Sequence, residues 1–453
     1  MQNPFSFDGE IRPLPYALWS LGLFFSQHLL AFVILELQGE QVIPSLWLLA
    51  QPFRELVTLY QQAPTPIIVL ALLYLLIVHW ALAALAVRRA VNARFSGWIA
   101  AAAITPIVQL PVIVALCVMP PRSASDPTAL ARTPSADPGW VAAAQGVLAG
   151  IAFTVFAVAF GALVFGSYGF GLFVVAPFLI GALTAFLANR KGDLGSSRTA
   201  GLVMVTVMLG SVGLVLTALE GIVCIVMAAP LGLLIAWLGG LMGRRLAIAS
   251  RGSGRQAMSA FVLLPVAFIV EGVFPTAVTF ETRETILVNA PAELVWKAIA
   301  QMETIDAPLA LPFRLGVAYP IRGEILGEGV GALRRGEFST GVAVERVTEW
   351  VPNRKLAFVV LEDVPGMREL SPYENVNAPH VVGYFRTLST SFELFERADG
   401  TTEIVERTAH QLRLDPILYW LPLARWVVHQ NNQRVLTHVQ GQTEERFAQE
   451  SSS

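Results

Sequence analysis

The sequence predicts a multi-span α-helical membrane region followed by an α+β domain whose curved antiparallel sheet surrounds a long C-terminal helix. The composition indicates the membrane region: 55% of the 453 residues are hydrophobic and 14% are charged, whereas soluble domains have about 25% charged residues. Residues 1–280 hold 14 basic and 10 acidic residues, and residues 281–453 hold 17 and 23. The charges are therefore concentrated in the last part, as expected if only that part is soluble.

The membrane region contains eight runs of about 20 mainly apolar residues, the length that crosses a bilayer. The predicted spans are 14–36, 65–87, 97–118, 142–166, 169–189, 199–218, 221–243 and 257–276. The sixth and seventh form one apolar run too long for a single crossing, and Glu220-Gly221 is the natural turn. The polar stretch 121–140 connects a first block, 1–120, to a second, 141–280.

Orientation in the membrane is predicted from the basic loops, which face the cytoplasm. The basic cluster at 88–94 places both the N-terminus and the C-terminal domain in the cytoplasm if all eight spans hold. The clusters at 190–198 and 244–255 place that domain on the other side. We take the cytoplasmic arrangement as the expectation, in a multi-pass protein of the bacterial inner membrane, and the other stays open.

Polar and small residues within the spans suggest packing and anchoring. The polar residues are His28, His79, Gln109, Glu220 and Glu271. Most lie near span ends, where a polar side chain reaches the interface at little cost, so we expect anchoring before transport. Gly146 with Gly150, and Gly239 with Gly243, have the small-xxx-small spacing that lets helices pack closely within the chain.

Residues 1–120 carry a family resemblance in three short motifs. These are Phe5-Ser6-Phe7-Asp8-Gly9 before the first span, Val87-Arg88-Arg89 after the second, and Ser96-Gly97-Trp98 before the third. Together they resemble a bacterial inner-membrane family of unknown function, family 805. The basic cluster and the tryptophan are residue types that anchor a span at the membrane surface.

After Pro275 the pattern changes to short alternating segments. A strand is predicted at 283–289, and Pro291 with Glu293 begins a helix. Further strands are predicted at 331–338, 342–350, 355–361, 386–397 and 401–412, with Asp399-Gly400 as a two-residue hairpin. A long amphipathic helix, 416–447, ends the domain, and 449–453 is expected to be a disordered tail. This order describes a helix grip with a cavity between sheet and helix.

Several segments of 281–448 also resemble a known superfamily. They are Ile286-Leu-Val-Asn-Ala-Pro-Ala-Glu-Leu-Val-Trp296, Gly327-Glu-Gly-Val-Gly331, Val347-Thr-Glu-Trp350 with the residues to Phe358, and the closing helix. In this order they resemble the START-like SRPBCC superfamily of polyketide cyclases, dehydrases and lipid-transport proteins. The resemblance implies a ligand-binding cavity and no shared set of catalytic residues, because a fold does not fix a function.

Strand alternation and the helical face predict the residues that line the cavity. They are Phe338, Val344, Trp350, Phe358, Tyr384, Phe392, Tyr419, Trp426 and His429. For any one of them the alternative is an ordinary core aromatic, since large aromatics dominate cores. A general acid or base would come from Glu337, Glu345, His380, His410 or His429. His380, Glu345 and His429 are the residues we would test for catalysis.

The leading functional hypothesis is a membrane-tethered domain that binds a lipid or isoprenoid, for lipid transfer or sensing. A polyketide cyclase or dehydratase and a membrane transporter with a soluble sensing domain stay as alternatives. No cofactor or metal site is expected, because the sequence has no HExxH, CxxC or nucleotide-binding glycine motif. The expected partners are the lipid bilayer and a hydrophobic ligand, and no basic tract suggests nucleic acid.

Overall fold

The computed structural model describes residues 4–6, 9–37, 65–93, 99, 103, 109–121, 138–161, 168–249, 268–269, 277–372 and 381–452. The chain forms two compact units. One comprises Met1–Val273 and Ser371–Ala378, and the other comprises Phe274–Leu370 and Pro379–Ser453. The second unit therefore begins a few residues before the predicted domain start at 281.

The first unit consists of apolar helices. Their bounds are α1 Pro13–Leu37, α2 Thr65–Ala93, α3 Gln109–Val118, α4 Pro138–Phe160, α5 Ala176–Asn189, α6 Ser196–Leu216 and α7 Ile222–Ala249. A π-helical turn, Gly171–Val175, leads directly into α5. Within the described ranges, five helical segments are long and apolar enough to cross a membrane: Pro13–Ile34, Val141–Phe160, Gly171–Asn189, Ser196–Leu216 and Ile222–Ile248. They coincide with the predicted spans 1, 4, 5, 6 and 7.

The three other predicted spans have different outcomes. The span 65–87 lies within the 29-residue helix α2, and the end of 97–118 forms the ten-residue helix α3. The span 257–276, with Glu271, lies outside the described residues apart from 268 and 269. The turn predicted at Glu220 is confirmed, because α6 ends at Leu216 and α7 begins at Ile222.

The glycine pairs in the spans pack helices closely within the chain, as predicted. A Cβ atom at Gly146 on α4 would lie 2.4 Å from the carbonyl oxygen of Thr184 on α5. At Gly239 on α7 it would lie 2.0 Å from the carbonyl oxygen of Phe178, also on α5. The glycines four residues later make similarly close approaches. Helix α5 therefore packs against both α4 and α7 through backbone contacts that any larger residue would block.

Several polar side chains in this unit pair with one another or with the backbone. Gln27 on α1 donates its amide hydrogen to Gln109 Oε1 on α3 at 2.8 Å, and the His28 ring contacts a carbonyl one turn earlier. Arg89, predicted to anchor α2 at the membrane surface, is instead fully buried. It donates from Nε to the carbonyl oxygen of Leu116 at 2.9 Å, and so satisfies a free carbonyl at the end of α3.

The second unit contains an eight-stranded antiparallel sheet in the order β1-β8-β7-β6-β5-β4-β3-β2. The strands are β1 Val278–Val288, β2 Gln301–Met302, β3 Pro320–Leu326, β4 Leu333–Phe338, β5 Gly341–Val351, β6 Lys355–Glu362, β7 Phe385–Glu396 and β8 Thr402–Leu412. The helices are α8 Ala292–Ala300, α9 Leu311–Arg314 and α10 Ile417–Ser452. Sequence patterns predicted six of the strands and missed β2 and β3.

Two local predictions differ from the structure. The connection between β7 and β8 is longer than a two-residue hairpin: the strands stop at Glu396 and resume at Thr402, with Gly400 at φ 81° in the turn. Glycine suits that turn because it has no Cβ to clash at positive φ. Helix α10 is continuous to Ser452, so residues 449–452, where we expected a disordered tail, are helical.

Helix α10 holds both edges of the curled sheet. Beside β1, the Asn289 N–H donates to Glu444 Oε1 at 2.9 Å. After β2, Arg434 donates to the carbonyl oxygen of Ile305 at 2.8 Å. Between these contacts Leu436 is fully buried against the inner face of the sheet. The sheet therefore curves around the helix, which confirms the predicted fold class.

The apolar core fills one half of this interior, toward the end where β6 and β8 begin. Its large members are Val288, Val295, Trp296, Ile299, Ile325, Val347, Leu356, Phe358, Phe392, Leu394, Ile404, Leu436 and Val439. Each such side chain contributes about 1.5–3 kcal/mol on burial. We call the opposite end the entry end: there β1 begins at Val278, which pairs with Leu412 at the end of β8.

Candidate functional site

The inner face of β8 changes from apolar to polar toward the entry end. Alternate residues point inward and are buried: Thr402, Ile404, Glu406, Thr408, His410 and Leu412. Strand alternation alone produces this row, because side chains two apart share a face. Ile404 belongs to the apolar core, whereas the next three inward residues can all form hydrogen bonds.

His410 lies between two aromatic rings from the neighbouring strands. Its ring stacks on Phe280 of β1 at 5.4 Å and on Phe385 of β7 at 5.2 Å between centroids. Its Nε2 atom is 2.9 Å from Thr408 Oγ1, and Nδ1 has no hydrogen-bond partner among the described residues. Burial lowers the pKa of His410 to about 4. The ring is therefore neutral at physiological pH, and a ligand would meet an uncharged imidazole.

A network of hydroxyl and amide groups links β8 to helix α10. Thr408 Oγ1 lies 2.6 Å from Thr282 Oγ1 on β1. Asn432 on α10 donates to both hydroxyls at 3.2 Å. Because these groups are hydrogen-bonded and buried, they fix the distance between α10 and the sheet at this point.

Glu406 is a buried carboxyl group with an unpaired oxygen. Its side chain is 3% exposed, and Oε2 has no hydrogen-bond partner in the described part of the chain. Burial raises the pKa of Glu406 well above its ordinary range, and the neighbouring Glu284 carboxylate adds to that shift while Arg334 opposes it. These effects favour the neutral carboxylic acid, which can donate or accept a hydrogen bond.

Arg334 and Glu345 form a buried ion pair on β4 and β5. Their side chains are 8% and 5% exposed, and the guanidinium donates from Nη1 to the carboxylate. The Arg334 Cζ atom also lies 4.4 Å from the centre of the Phe358 ring, a cation–π contact. A Cβ at Gly323 would lie 2.3 Å from an Arg334 nitrogen, so glycine leaves room for the guanidinium. The charges of the pair cancel, so the pair adds no net charge to the interior.

We define the inner polar cluster as Arg334, Glu345, Glu406, Thr408 and His410. Beside this cluster, the His429 ring on α10 contacts Glu284 Oε1 at 2.6 Å. The His429 side chain is 46% exposed. His429 therefore lies at the edge of the interior and orients Glu284. The carboxylate of Glu284 is one of the groups that raise the pKa of Glu406.

The predicted cavity residues fall into three groups. Phe358 and Phe392 are buried in the apolar core, and Trp350 packs edge-on against Trp296 at 5.2 Å. Phe338, Tyr384 and Tyr419 are half-buried. These six aromatics line or adjoin the interior and stay proposals as ligand contacts, because their burial alone fits a core role equally well.

Two predicted cavity residues are placed elsewhere, each for a local reason. Val344 lies between the buried Ala343 and Glu345 and points to the outer face of the sheet. Trp350 points inward, but a β-bulge between Val347 and Glu349 adds one residue to the strand. Residues at an even spacing from Trp350 on the far side of the bulge therefore point outward. Trp426 on α10 is 46% exposed, because the helix turns other residues toward the sheet.

The candidate acids and bases also separate. Glu345 lies inside, although its ion pair with Arg334 occupies it. Glu337 is on the outer face of β4 and pairs with Arg322 at 2.5 Å. His380 lies outside the described residues, so its proposed role stays a prediction.

Sequence reasoning missed three members of the cluster. Arg334, Glu406 and Thr408 were not singled out, because charged and hydroxyl residues on a strand are usually solvated. The signal was present on β8: Ile404, Glu406, Thr408, His410 and Leu412 share one parity, so polar groups and core residues had to share the inner face. The sequence around Arg334 shows no comparable alternation, because β4 has only six residues and the neighbouring strand β5 contains a β-bulge.

Comparisons with known proteins give structural likenesses only. No protein family matches the chain, and no curated protein matches it. The Zhui aromatase/cyclase from a Streptomyces species is 22% identical with a TM-score of 0.25, and the match covers 37% of this chain and 96% of that one. A protein from Chromobacterium violaceum is 17% identical with a TM-score of 0.22, covering 36% and 97%. A protein from Nitrosomonas europaea is 12% identical with a TM-score of 0.25, covering 37% and 96%.

At these TM-scores the likenesses assign no function. The helix-grip architecture of this domain is taken from its own strand order and helix contacts. The resemblance of residues 1–120 to family 805 stays a prediction.

Proposed function

We propose that the C-terminal domain binds a hydrophobic ligand, a lipid or isoprenoid, between the sheet and α10, and that the membrane helices tether it for lipid transfer or sensing. One observation supports this most strongly. Polar atoms of Glu406, His410 and Arg334 lie buried beside an apolar core without hydrogen-bond partners among the described residues. Leaving such an atom unpaired costs about 1–3 kcal/mol, and a ligand bearing one polar group would recover part of that cost.

The charge of the cluster indicates the kind of polar group. Arg334 is neutralised by Glu345, and the surroundings favour the neutral forms of Glu406 and His410. A carboxylate or phosphate would therefore bring an uncompensated charge into the interior, which is costly. An uncharged hydroxyl or carbonyl fits, because Glu406 and Arg334 can donate to it and Glu406 can accept from it. The proposed ligand is an apolar chain or ring system with such a group.

Tethering suits a ligand of this kind. A lipid or isoprenoid stays in the bilayer and rarely diffuses through water. Holding the binding domain at the membrane raises the effective concentration of the lipid at the binding site, because linking two partners makes their encounter intramolecular. The five apolar helices supply the means to hold it there.

The test is ligand binding by the purified full-length protein in detergent. Solvent extraction and mass spectrometry would identify bound lipophiles, and four probes with one C20 chain and an alcohol, ketone, carboxylate or phosphate end would then compete for the site. We expect the alcohol and ketone to bind best. Glu406→Leu should weaken them about tenfold, the loss of about one hydrogen bond. The matched control is Glu337→Leu, which changes a glutamate on the outer face. No bound lipophile and no binding of any probe would refute the proposal.

A cyclase or dehydratase is a second candidate at the same site, and one observation favours it. Glu406 in its neutral form is positioned as a general acid, a role that raised pKa values serve in enzymes. Glu406→Gln separates the two functions, because the amide keeps hydrogen bonding and cannot release a proton. Binding retained with turnover lost would favour the enzyme, and His410→Phe would then be the next variant to assay.

The transporter alternative has one supporting contact in the membrane unit. Glu220 is buried, and Tyr168 Oη donates to its Oε1 atom at 2.7 Å. A buried carboxyl group in a membrane region is a candidate for a transport path, and Glu220 lies in the turn between α6 and α7, at one end of such a path. Proton or solute flux into proteoliposomes that is lost in Glu220→Gln would support transport, and no flux in the wild type would dismiss it.

A further inference from the structure

The entry end of the C-terminal domain exposes four large apolar side chains. Leu311 on α9, Leu370, Val382 and Leu418 on α10 are 68%, 42%, 66% and 89% exposed. Single exposed apolar residues are ordinary on a protein surface, but a group at one end marks an interaction surface. We call these four residues the apolar rim.

Backbone hydrogen bonds join the segments that carry the rim. The Arg368 N–H donates to the Gly316 carbonyl at 2.7 Å, which ties the Leu370 segment to the loop after α9. The Gly366 N–H donates to the Val381 carbonyl at 3.1 Å, beside Val382. The Arg413 N–H donates to the Tyr384 carbonyl at 2.7 Å, which brings in the segment leading to Leu418. The rim is therefore a continuous feature of one end of the domain.

Five exposed side chains on or beside these segments are basic, and Glu362 at the end of β6 is an exposed acidic one. The basic residues are Arg314, Arg368, Arg386, Arg413 and Arg425. Within these segments Asp415 is buried, where it accepts from the Ile417 N–H at 3.2 Å, and Glu369 is half-buried. Arginines around exposed leucine and valine are the combination that binds the headgroup region of anionic lipids.

The chain enters the domain at this end. The first residue of β1, Val278, pairs with Leu412, which leads into the segment before Leu418. The sequence predicts the last membrane span to end at 276, two residues before Val278. A lipid surface is therefore within reach of the rim.

We propose that the apolar rim and its arginines bind the surface of an anionic lipid bilayer. The rim then inserts its four side chains among the headgroups while the arginines contact lipid phosphates. The inner polar cluster lies in the same half of the domain, so docking would turn the interior toward its lipid source. The surface is separate from the ligand site, and its nearness to a bilayer rests on the membrane tether of the proposed function.

The experiment measures the depth of a nitroxide in proteoliposomes of the full-length protein. Cys117 and Cys224 are replaced by serine, and a label is placed at Leu418→Cys or at Val330→Cys. Val330 is the matched control, because it is 70% exposed in the loop between β3 and β4, at the opposite end of the sheet. In vesicles with phosphatidylglycerol we expect the label at 418 to collide with oxygen in preference to a polar nickel complex. At 330 the preference should be reversed.

Charge reversal tests the electrostatic part. Arg368→Glu with Arg413→Glu should lower the docked-to-undocked ratio at 418 by about fivefold per arginine, and salt at about 1 M should have a similar effect. Vesicles of phosphatidylcholine alone should dock the rim less. The proposal is overturned if the labels at 418 and 330 are equally accessible to nickel in anionic vesicles. It is also overturned if 418 is immobilised yet unaffected by lipid charge, since a protein surface would then cover the rim.

Discussion

We expect the buried, neutral His410 ring to make the C-terminal domain less stable in acid. The pKa of His410 is lowered to about 4 in the folded domain, against about 6.5 in an unfolded chain. Above pH 6.5 the ring is neutral in both states. As the pH falls below 6.5, the unfolded chain takes up a proton that the folded domain does not, so stability is lost until the pH reaches about 4.

The size of this effect follows from the two pKa values. Between pH 8 and pH 5 the linkage relation gives a loss of about 2 kcal/mol for this one residue, and the full shift corresponds to about 3 kcal/mol. For a domain of this size, 2 kcal/mol lowers Tm by about 4–8 °C. His410→Phe removes the titrating group, keeps a ring between Phe280 and Phe385, and leaves Thr408 hydrogen-bonded to Thr282.

The assay follows thermal unfolding of the full-length protein in detergent at pH 8 and pH 5. The amide I band of β-sheet in the infrared spectrum reports on this domain, because all the described strands belong to it. The quantity of interest is the wild-type shift in Tm minus the variant shift, which cancels the other titrating groups. Equal shifts in the two proteins would refute the reasoning, because they would mean that His410 is protonated in the folded domain or has access to water.

Three further predictions use the same melts or a standard assembly assay. Arg334→Met should lower the free energy of unfolding by about 3–5 kcal/mol by leaving Glu345 buried without its partner, and adding Glu345→Met should recover most of that loss; equal damage in single and double variants would contradict this. Glu406→Gln should stabilise the domain increasingly from pH 5 to pH 8, because the raised pKa of the carboxyl makes the wild type lose stability as the pH rises; a constant difference would count against it. Gly239→Leu should disrupt the α5–α7 contact at Phe178, and size-exclusion chromatography should then show aggregation; an unchanged elution profile would argue against that contact.

Some features were predictable because they depend on local pattern. The apolar runs between the N-terminus and 249, the turn at Glu220 and the glycine spacings all follow from residue type and period, which a helix in lipid must obey. Six of the eight strands were likewise visible as alternating segments. β2 and β3 were missed, since two residues are too few to show a period and β3 contains Pro320 and Gly323, which interrupt the strand pattern.

The candidate site was predicted only in part. Its location between the sheet and the last helix followed from the order of elements, and His410 and Glu345 were among the residues considered. The bulge in β5 reversed the expected face of Val344, because one extra residue shifts the alternation by one. The sequence pattern does not give the register of neighbouring strands. The pairing of Arg334 on β4 with Glu345 on β5 was therefore not predictable.

The sequence by itself determined that this protein has an apolar helical part and a separate α+β domain, because composition and periodicity are properties of single segments. The tertiary structure decided the chemistry of the interior. The protonation of Glu406 depends on burial and on Glu284 and Arg334, which come from other strands, and the neutral state of His410 depends on its burial between Phe280 and Phe385. Desolvation and charge–charge contacts act through space, so they exist only once the strands have paired.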